Sequence, residues 1–310
     1  MLRSASVKRD VRSCVSAAIP LALMLCVAGC RGRDDAANRA AVANLDQELN
    51  PAFLAAALRK LGGAHFHSTA RMSVTAGATA SNEAGWDTVT TTTDLWLDRG
   101  GNYRIVESND QDGGREVVLF GHDLSVALRY GKMIRRKAQD PEPERLLEEA
   151  LGAPWSGWQV AAPYAITKHN PVDVGGGRKG EEYRVTKSDK RRRKAPKYSP
   201  GIRYWRSNAS VLELNGRMIV DAASSALLKS ELLVVFTAQR TGEPRSDGRD
   251  GPPEAVVGTV DVQTAIDQIG AVAAIQRPPA EELSLRQRIV PEQRDLLGGL
   301  TAAGNAPKDK

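Results

Sequence analysis

The apolar positions of this chain keep two different periods. Around residues 50–61 they recur at helical spacing. From residue 64 onward they alternate with polar ones, as in half-buried strands. Asn50-Pro51 offers a helix N-cap followed by proline at the first helical position, and Phe53, Leu54, Leu58 and Leu61 follow before Gly62-Gly63 ends the segment. This predicts a short amphipathic helix that packs on a sheet.

The segments HFHSTARMSVTA and TVTTTTDLWLD are rich in threonine, valine and aromatics. In the second, Val89, Thr91, Thr93, Leu95 and Leu97 fall on one face. Gly100-Gly101, Asp112-Gly113-Gly114, Gly121 and Gly131 punctuate the strands NYRIVES, REVVLF, DLSVALRY and KMIRRK. Leu124, Val126, Leu128 and Tyr130 share a face. Residues 141–152 return to helical spacing, with Leu146, Leu147, Ala150 and Leu151 apolar and Trp155 and Trp158 close behind. Strands resume with PYAITKH and EEYRVTK. Asn215-Gly216 between apolar runs predicts a hairpin turn. In LLKSELLVVFTA, Leu228, Leu232, Val234 and Phe236 share a face on which Ser230 is the only polar residue. Residues 240–254 read as a loop. AVVGTVDVQTAIDQI reads as the last strand, with a helical turn at its end. This order predicts a mainly β (α+β) fold: a strongly curved antiparallel half-barrel sheet with helices covering the concave side.

The first thirty residues carry a separate signal. Lys8, Arg9 and Arg12 precede the nearly uncharged stretch Val15 to Val27, and the small residues Ala28-Gly29 lead to Cys30. This is the pattern of a secretory signal peptide, too short for a stable transmembrane helix of roughly 20 apolar residues. Val27-Ala28-Gly29-Cys30 resembles the lipobox of bacterial lipoproteins. The resemblance implies cleavage before Cys30, lipidation of its thiol and anchoring in a membrane. Arg31 stands where Asp marks inner-membrane retention in that family, which implies the outer membrane and a periplasmic, cell-envelope location. The other cysteines, Cys14 and Cys26, lie in the discarded segment, so the mature domain has neither disulfide nor free thiol. The expected organisation is a signal peptide (1–29), a small and polar tether (30–43), one domain (44–277) and a tail (278–310). Without residues 1–29 the formal charge falls from +6 to +3, since four basic residues and one acidic residue go with them. That balance does not suggest nucleic acid.

The element order also resembles the LolA/LolB and LppX/LprG superfamily of periplasmic lipoprotein and lipid carriers, over roughly residues 45–280. The features that carry it are Cys30, helix 51–61 with Gly62-Gly63, the strand with Arg71 and Met72, the segment Leu97-Asp98-Arg99-Gly100-Gly101-Asn102-Tyr103-Arg104-Ile105, and the close Ile275-Gln276-Arg277-Pro278-Pro279. The chain departs from that family in its basic segment 187–197 and its tail. The resemblance implies an unclosed barrel lidded by helices, with acyl chains held inside.

Candidate cavity residues are Val89, Leu95, Leu97, Leu124, Val126, Leu128, Leu232, Val234 and Phe236, which would gain about 0.8 kcal/mol per lipid CH₂ buried; the bland alternative is that they fill a dry core. Lys190, Arg191, Arg192, Arg193 and Lys194 form a run that is either a solvated loop or a contact for anionic lipid. Gly175-Gly176-Gly177-Arg178-Lys179-Gly180 matches G-x-G-x-x-G but precedes a strand, so it reads as a hairpin loop rather than a phosphate cradle. His65 and His67 share a strand face, yet only His122 and His169 remain as further histidines, and no metal site is expected. Asp110/Asp112 and Glu148/Glu149 read as solvent-facing pairs. No nucleophile elbow, zincin or Walker motif occurs, so neither an enzyme nor a cofactor is indicated. The leading expectation is a lipid-anchored envelope protein that binds a lipid or acylated partner. The alternatives are an envelope structural or interaction lipoprotein with a filled core and, less directly suggested, an uncharacterised hydrolase.

Overall fold

The structure, a computed structural model, describes residues 36–76, 87–192, 209–242, 251–282 and 300–301. The chain divides into two units, residues 1–40 and 41–310. Of the first, only residues 36–40 are described, and they are helical.

The sheet dominates. Its strands are β1 (Ala64–Ala76), β2 (Asp87–Leu97), β3 (Tyr103–Asn109), β4 (Gly114–Phe120), β5 (Asp123–Leu128), β6 (Ile134–Lys137), β7 (Ala165–Gly175), β8 (Arg178–Lys187), β9 (Ser210–Asp221), β10 (Leu227–Gly242) and β11 (Gly251–Asp267). They pair antiparallel in the order β6-β5-β4-β3-β2-β1-β11-β10-β9-β8-β7. The long β1–β11 pairing, with His65 opposite Asp267 and Ala76 opposite Val256, joins two meanders into one sheet. The sheet is not closed: β7 forms one edge. At the other, β12 (Glu281–Glu282) adds a short parallel strand to β6. This is the expected mainly β, strongly curved half-barrel, with helices on its concave side.

Helix α1 spans residues 36–48. Residues 30–43, being small and polar, are expected from composition to form a tether. Residues 30–35 lie outside the described residues. Ala41, Val42, Leu45 and Leu49, however, sit at helical spacing and are buried in the core. Alanine-rich composition favours helix, and the apolar stripe gives that helix a face to bury. Helix α2 (Pro51–Lys60) forms as expected, its Asn50 Oδ1 accepting from the Ala52 amide at 3.1 Å. Gly63 closes it in a left-handed conformation (φ +99°), where an added Cβ would lie 2.6 Å from the Leu97 carbonyl oxygen. The helix expected at 141–152 is followed at once by another: α3 (Glu142–Ala150) and α4 (Gly152–Ala161). Trp158 on α4 is fully buried, and its indole donates to Asp46 Oδ1 of α1 at 2.8 Å.

Three further expectations need correction. Asn215-Gly216 is not a turn, because β9 runs straight through it. Gly216 pairs with Leu232 and Val185 on the flanking strands. A Cβ there would stand 3.1 Å from Leu232 Cδ1 and 3.4 Å from Val185 Cβ, so the glycine answers close packing rather than turning. The real turn follows Asp221, whose carboxylate accepts from the Ser224 amide and hydroxyl at 2.7 and 2.6 Å. Second, the loop expected over residues 240–254 is shorter, since β10 reaches Gly242 opposite Gly251 of β11. Third, β11 stays extended to Asp267 without a helical turn.

Beyond β11 the chain is fixed by specific bonds. The Ile275 amide donates to Asp98 Oδ2 (3.0 Å), Arg277 pairs with Asp123 (2.7 Å), and Arg135 donates to the Pro278 carbonyl (2.6 Å). Pairing thus continues past the expected boundary at 277 as far as Glu282. Of the remaining tail only Leu300–Thr301 is described, paired with β10.

Candidate functional site

Register makes the concave wall readable row by row, since directly paired residues face the same side of a sheet. One row crosses ten strands: Leu128 (β5), Arg115 (β4), Glu107 (β3), Thr93 (β2), Ser68 (β1), Thr264 (β11), Ser230 (β10), Met218 (β9), Tyr183 (β8) and His169 (β7). Its two end members are exposed and everything between is buried. The rows beside it are apolar: Leu95 and Phe66 are paired on one side, Leu232 and Val262 on the other.

The two flanks of this polar row are satisfied. Arg115 Nε donates to Glu107 and its terminal nitrogens lie 3.3 Å from Glu149 of α3. Burial pulls the Arg115 guanidinium down, but Glu107 and Glu149 outweigh it and hold it above its ordinary pKa. At the other flank the Tyr183 hydroxyl bonds Glu48 and Asn44 of α1. Burial pushes the Glu48 carboxyl up to about 7, against the Tyr183 hydrogen bond and reinforced by Glu181. The middle differs. Ser68, Thr264 and Ser230 are 1%, 5% and 0% exposed. Their hydroxyl oxygens bond no other group among the described residues. Each such group costs about 1–3 kcal/mol when left unmet, and three stand side by side on adjacent strands.

The nine expected cavity residues are placed as follows. Leu95, Leu97, Leu124, Val126, Leu232, Val234 and Phe236 belong to one continuous core with residues of all four helices, and Val89 is buried but outside that core. Leu128 is the exception at 47% exposed, because its row leaves the helical cover at β5. Helix α4 touches the wall through Gly157, where a Cβ would meet Leu232 Cδ2 at 3.0 Å and Val260 Cγ1 at 3.4 Å.

The remaining candidates lie elsewhere. Lys190, Arg191 and Arg192 are exposed just after β8, with Arg192 Nε donating to Ser188 Oγ at 3.1 Å; Arg193 and Lys194 lie outside the described residues. So do residues 1–29 and Cys30. Gly175-Gly176-Gly177 forms the β7–β8 hairpin, all three in left-handed conformation. His65 stacks on Trp96 (4.7 Å), its two ring nitrogens facing Asp94 (3.0 Å) and Asp267 (2.8 Å), and His67 also meets Asp94 (2.9 Å). Among the described residues no group of three or more His, Cys, Asp and Glu is arranged to hold a metal ion. Glu149 reaches Arg115, and Asp110 accepts from the Thr90 amide at 3.0 Å.

Ser230 stands out in the sequence as the polar member of an apolar strand face, whereas Ser68 and Thr264 are not among the expected site residues. The signal was present in the alternation: Phe66-Ser68-Ala70 and Val262-Thr264-Ile266 each place a hydroxyl in an apolar phase. Only the register shows that the three meet.

No family model and no curated protein matches the chain. Among solved structures it is similar to a DUF1329 family protein from Desulfovibrio piger at 12% identity. The match covers 70% of this chain and 92% of that one, with a TM-score of 0.21. No helix among the described residues is long and apolar enough to cross a membrane.

Proposed function

We propose that this chain is a cell-envelope lipoprotein, anchored through Cys30, that binds a lipid or acylated partner on the concave side of its half-barrel. The observation that carries the binding reading is the cluster of Ser68, Thr264 and Ser230. These hydroxyls are buried between apolar rows of the wall and bond no other group among the described residues. A core selected for packing alone gains nothing from such groups. A site for an amphiphile needs an apolar wall and a few convergent polar groups. The cover is helical and touches β10 and β11 through Gly157, so it can lift without breaking a strand ladder. The likeness to LolA/LolB carriers in element order agrees with this reading, and transport of the bound lipid extends it. The basic residues from Lys190 onward supply a surface for anionic headgroups, at about 1 kcal/mol each.

A second reading has its own support. Seven of the nine candidate residues lie in the continuous core, and Leu232 fits against both Gly157 and Gly216. That is the packing of a filled interior in a structural or interaction lipoprotein. Native mass spectrometry of the soluble domain after gentle purification separates the two. Co-purifying acyl species support binding. A clean apo mass, with no uptake of a fluorescent fatty acid, leaves the filled core.

A further inference from the structure

The chemistry of the buried row limits what it can hold. Thr93, Ser68, Thr264, Ser230 and Met218 are successive register partners on β2, β1, β11, β10 and β9, and none carries a charge. A hydroxyl both donates and accepts, so it suits ester carbonyls and alcohols alike. The cation of this row, Arg115, lies three strands beyond Ser68 and is occupied by Glu107 and Glu149. At the opposite flank Tyr183 is occupied by Glu48 and Asn44. An anionic headgroup buried at Ser68, Thr264 and Ser230 would therefore meet no counter-charge in its row, which is strongly unfavourable. A neutral headgroup meets three hydroxyls on adjacent strands, which lie about 4.8 Å apart, each able to donate to an ester carbonyl or to accept from an alcohol. Apolar rows on either side, with Phe66 and Leu95 on one and Leu232 and Val262 on the other, accept the hydrocarbon.

We infer that Ser68, Thr264 and Ser230 form the headgroup seat for a neutral glycerol-ester lipid, and that the protein selects against anionic amphiphiles of the same chain length. This rests on the binding reading above. The test is a competition at pH 8 among three ligands with one oleoyl chain: monoolein, oleate and 1-oleoyl lysophosphatidate. It is read by native mass spectrometry and by displacement of a fluorescent monoacylglycerol. The unaltered protein should hold monoolein at least ten-fold more tightly than either anion. A triple variant, Ser68→Ala with Thr264→Val and Ser230→Ala, should fold with a raised Tm, because it removes unmet polar groups. It should also lose the ten-fold preference. Equal or tighter binding of the anions, or a triple variant that keeps the preference, overturns the headgroup seat while leaving lipid binding intact. A folded, unaltered protein that binds none of the three overturns the seat and the proposed function together.

Discussion

Gly157 of α4 lies directly over Leu232 of β10, so close that a single added methyl group would come within 3.0 Å of Leu232 Cδ2. Alanine for glycine inside a helix ordinarily gains about 0.5–1 kcal/mol. Overpacking a core costs about 1–3 kcal/mol, so Gly157→Ala is expected to lose about 1 kcal/mol net. In a Leu232→Ala background the sign should reverse, as the methyl then fills space. A double-mutant cycle by urea denaturation checks this. Additive effects would show that α4 does not press on β10 as described.

Phe236 and Gly258 make a tighter pair across β10 and β11. A Cβ on Gly258 would fall 2.4 Å from the tip of the Phe236 ring. The ring lies over the glycine as an aromatic covering a backbone gap. Gly258→Ala should destabilise by about 2–3 kcal/mol, while Phe236→Leu with Gly258→Ala should recover part of the loss. Thermal melts of both variants against the unaltered protein decide it.

The Arg115–Glu107 pair is 7% exposed at both partners. Arg115→Met should cost about 3–5 kcal/mol, because it strands a buried carboxylate. Arg115→Met with Glu107→Leu should be much milder. If the single and double variants are equally unstable, the loss is one of volume rather than charge.

Stability should fall as pH rises from about 4.5 to 7. The folded Glu48 carboxyl has its pKa raised to about 7 from 4.5 in the unfolded chain, so the folded state binds the extra proton in that window. Stabilisation from Glu48 is complete below about 4.5 and is lost by the time pH passes 7. Glu48→Gln should flatten the slope. Asp221 acts oppositely: burial raises its pKa, but hydrogen bonds from Ser224 and Arg178 outweigh this and hold it low, so its contribution is lost on acidification. The two groups together place an optimum on the acid side of neutrality. A Tm against pH series that is level from 4.5 to 7 would contradict the Glu48 assignment.

Cys30→Ala should release the full-length protein from membranes into the soluble fraction, measured by fractionation and immunoblot. Unchanged membrane association would remove the lipid anchor from the proposal.

The strand alternation made most of the sheet legible, and Asn50 with Gly62-Gly63 marked α2 at both ends. The errors share a cause. Residues 41–43 look like linker by composition, and Asn215-Gly216 looks like a turn by local chemistry. In each, contacts distant in sequence decide the outcome: the core under Val42 and Leu45, and Leu232 beside Gly216. Local preference is a weak prior where tertiary packing overrides it. The apolar candidates proved buried except Leu128, but the hydroxyl cluster depends on β1, β10 and β11 lying side by side. β1 precedes β10 and β11 by at least 150 residues in the chain, and no single segment encodes that adjacency.

An unclosed sheet leaves two rims with unpaired backbone groups, which invite strand addition from neighbouring molecules. Here β12 occupies part of the β6 rim, and the β7 rim is interrupted by Pro171 among the exposed residues Lys168, His169 and Asn170. Proline offers no amide to a visiting strand, and a lysine there would have to be desolvated. The same openness that gives the half-barrel its hollow is thus guarded against fibre growth at both borders, and removing Pro171 exposes the protein to self-association before it affects the fold.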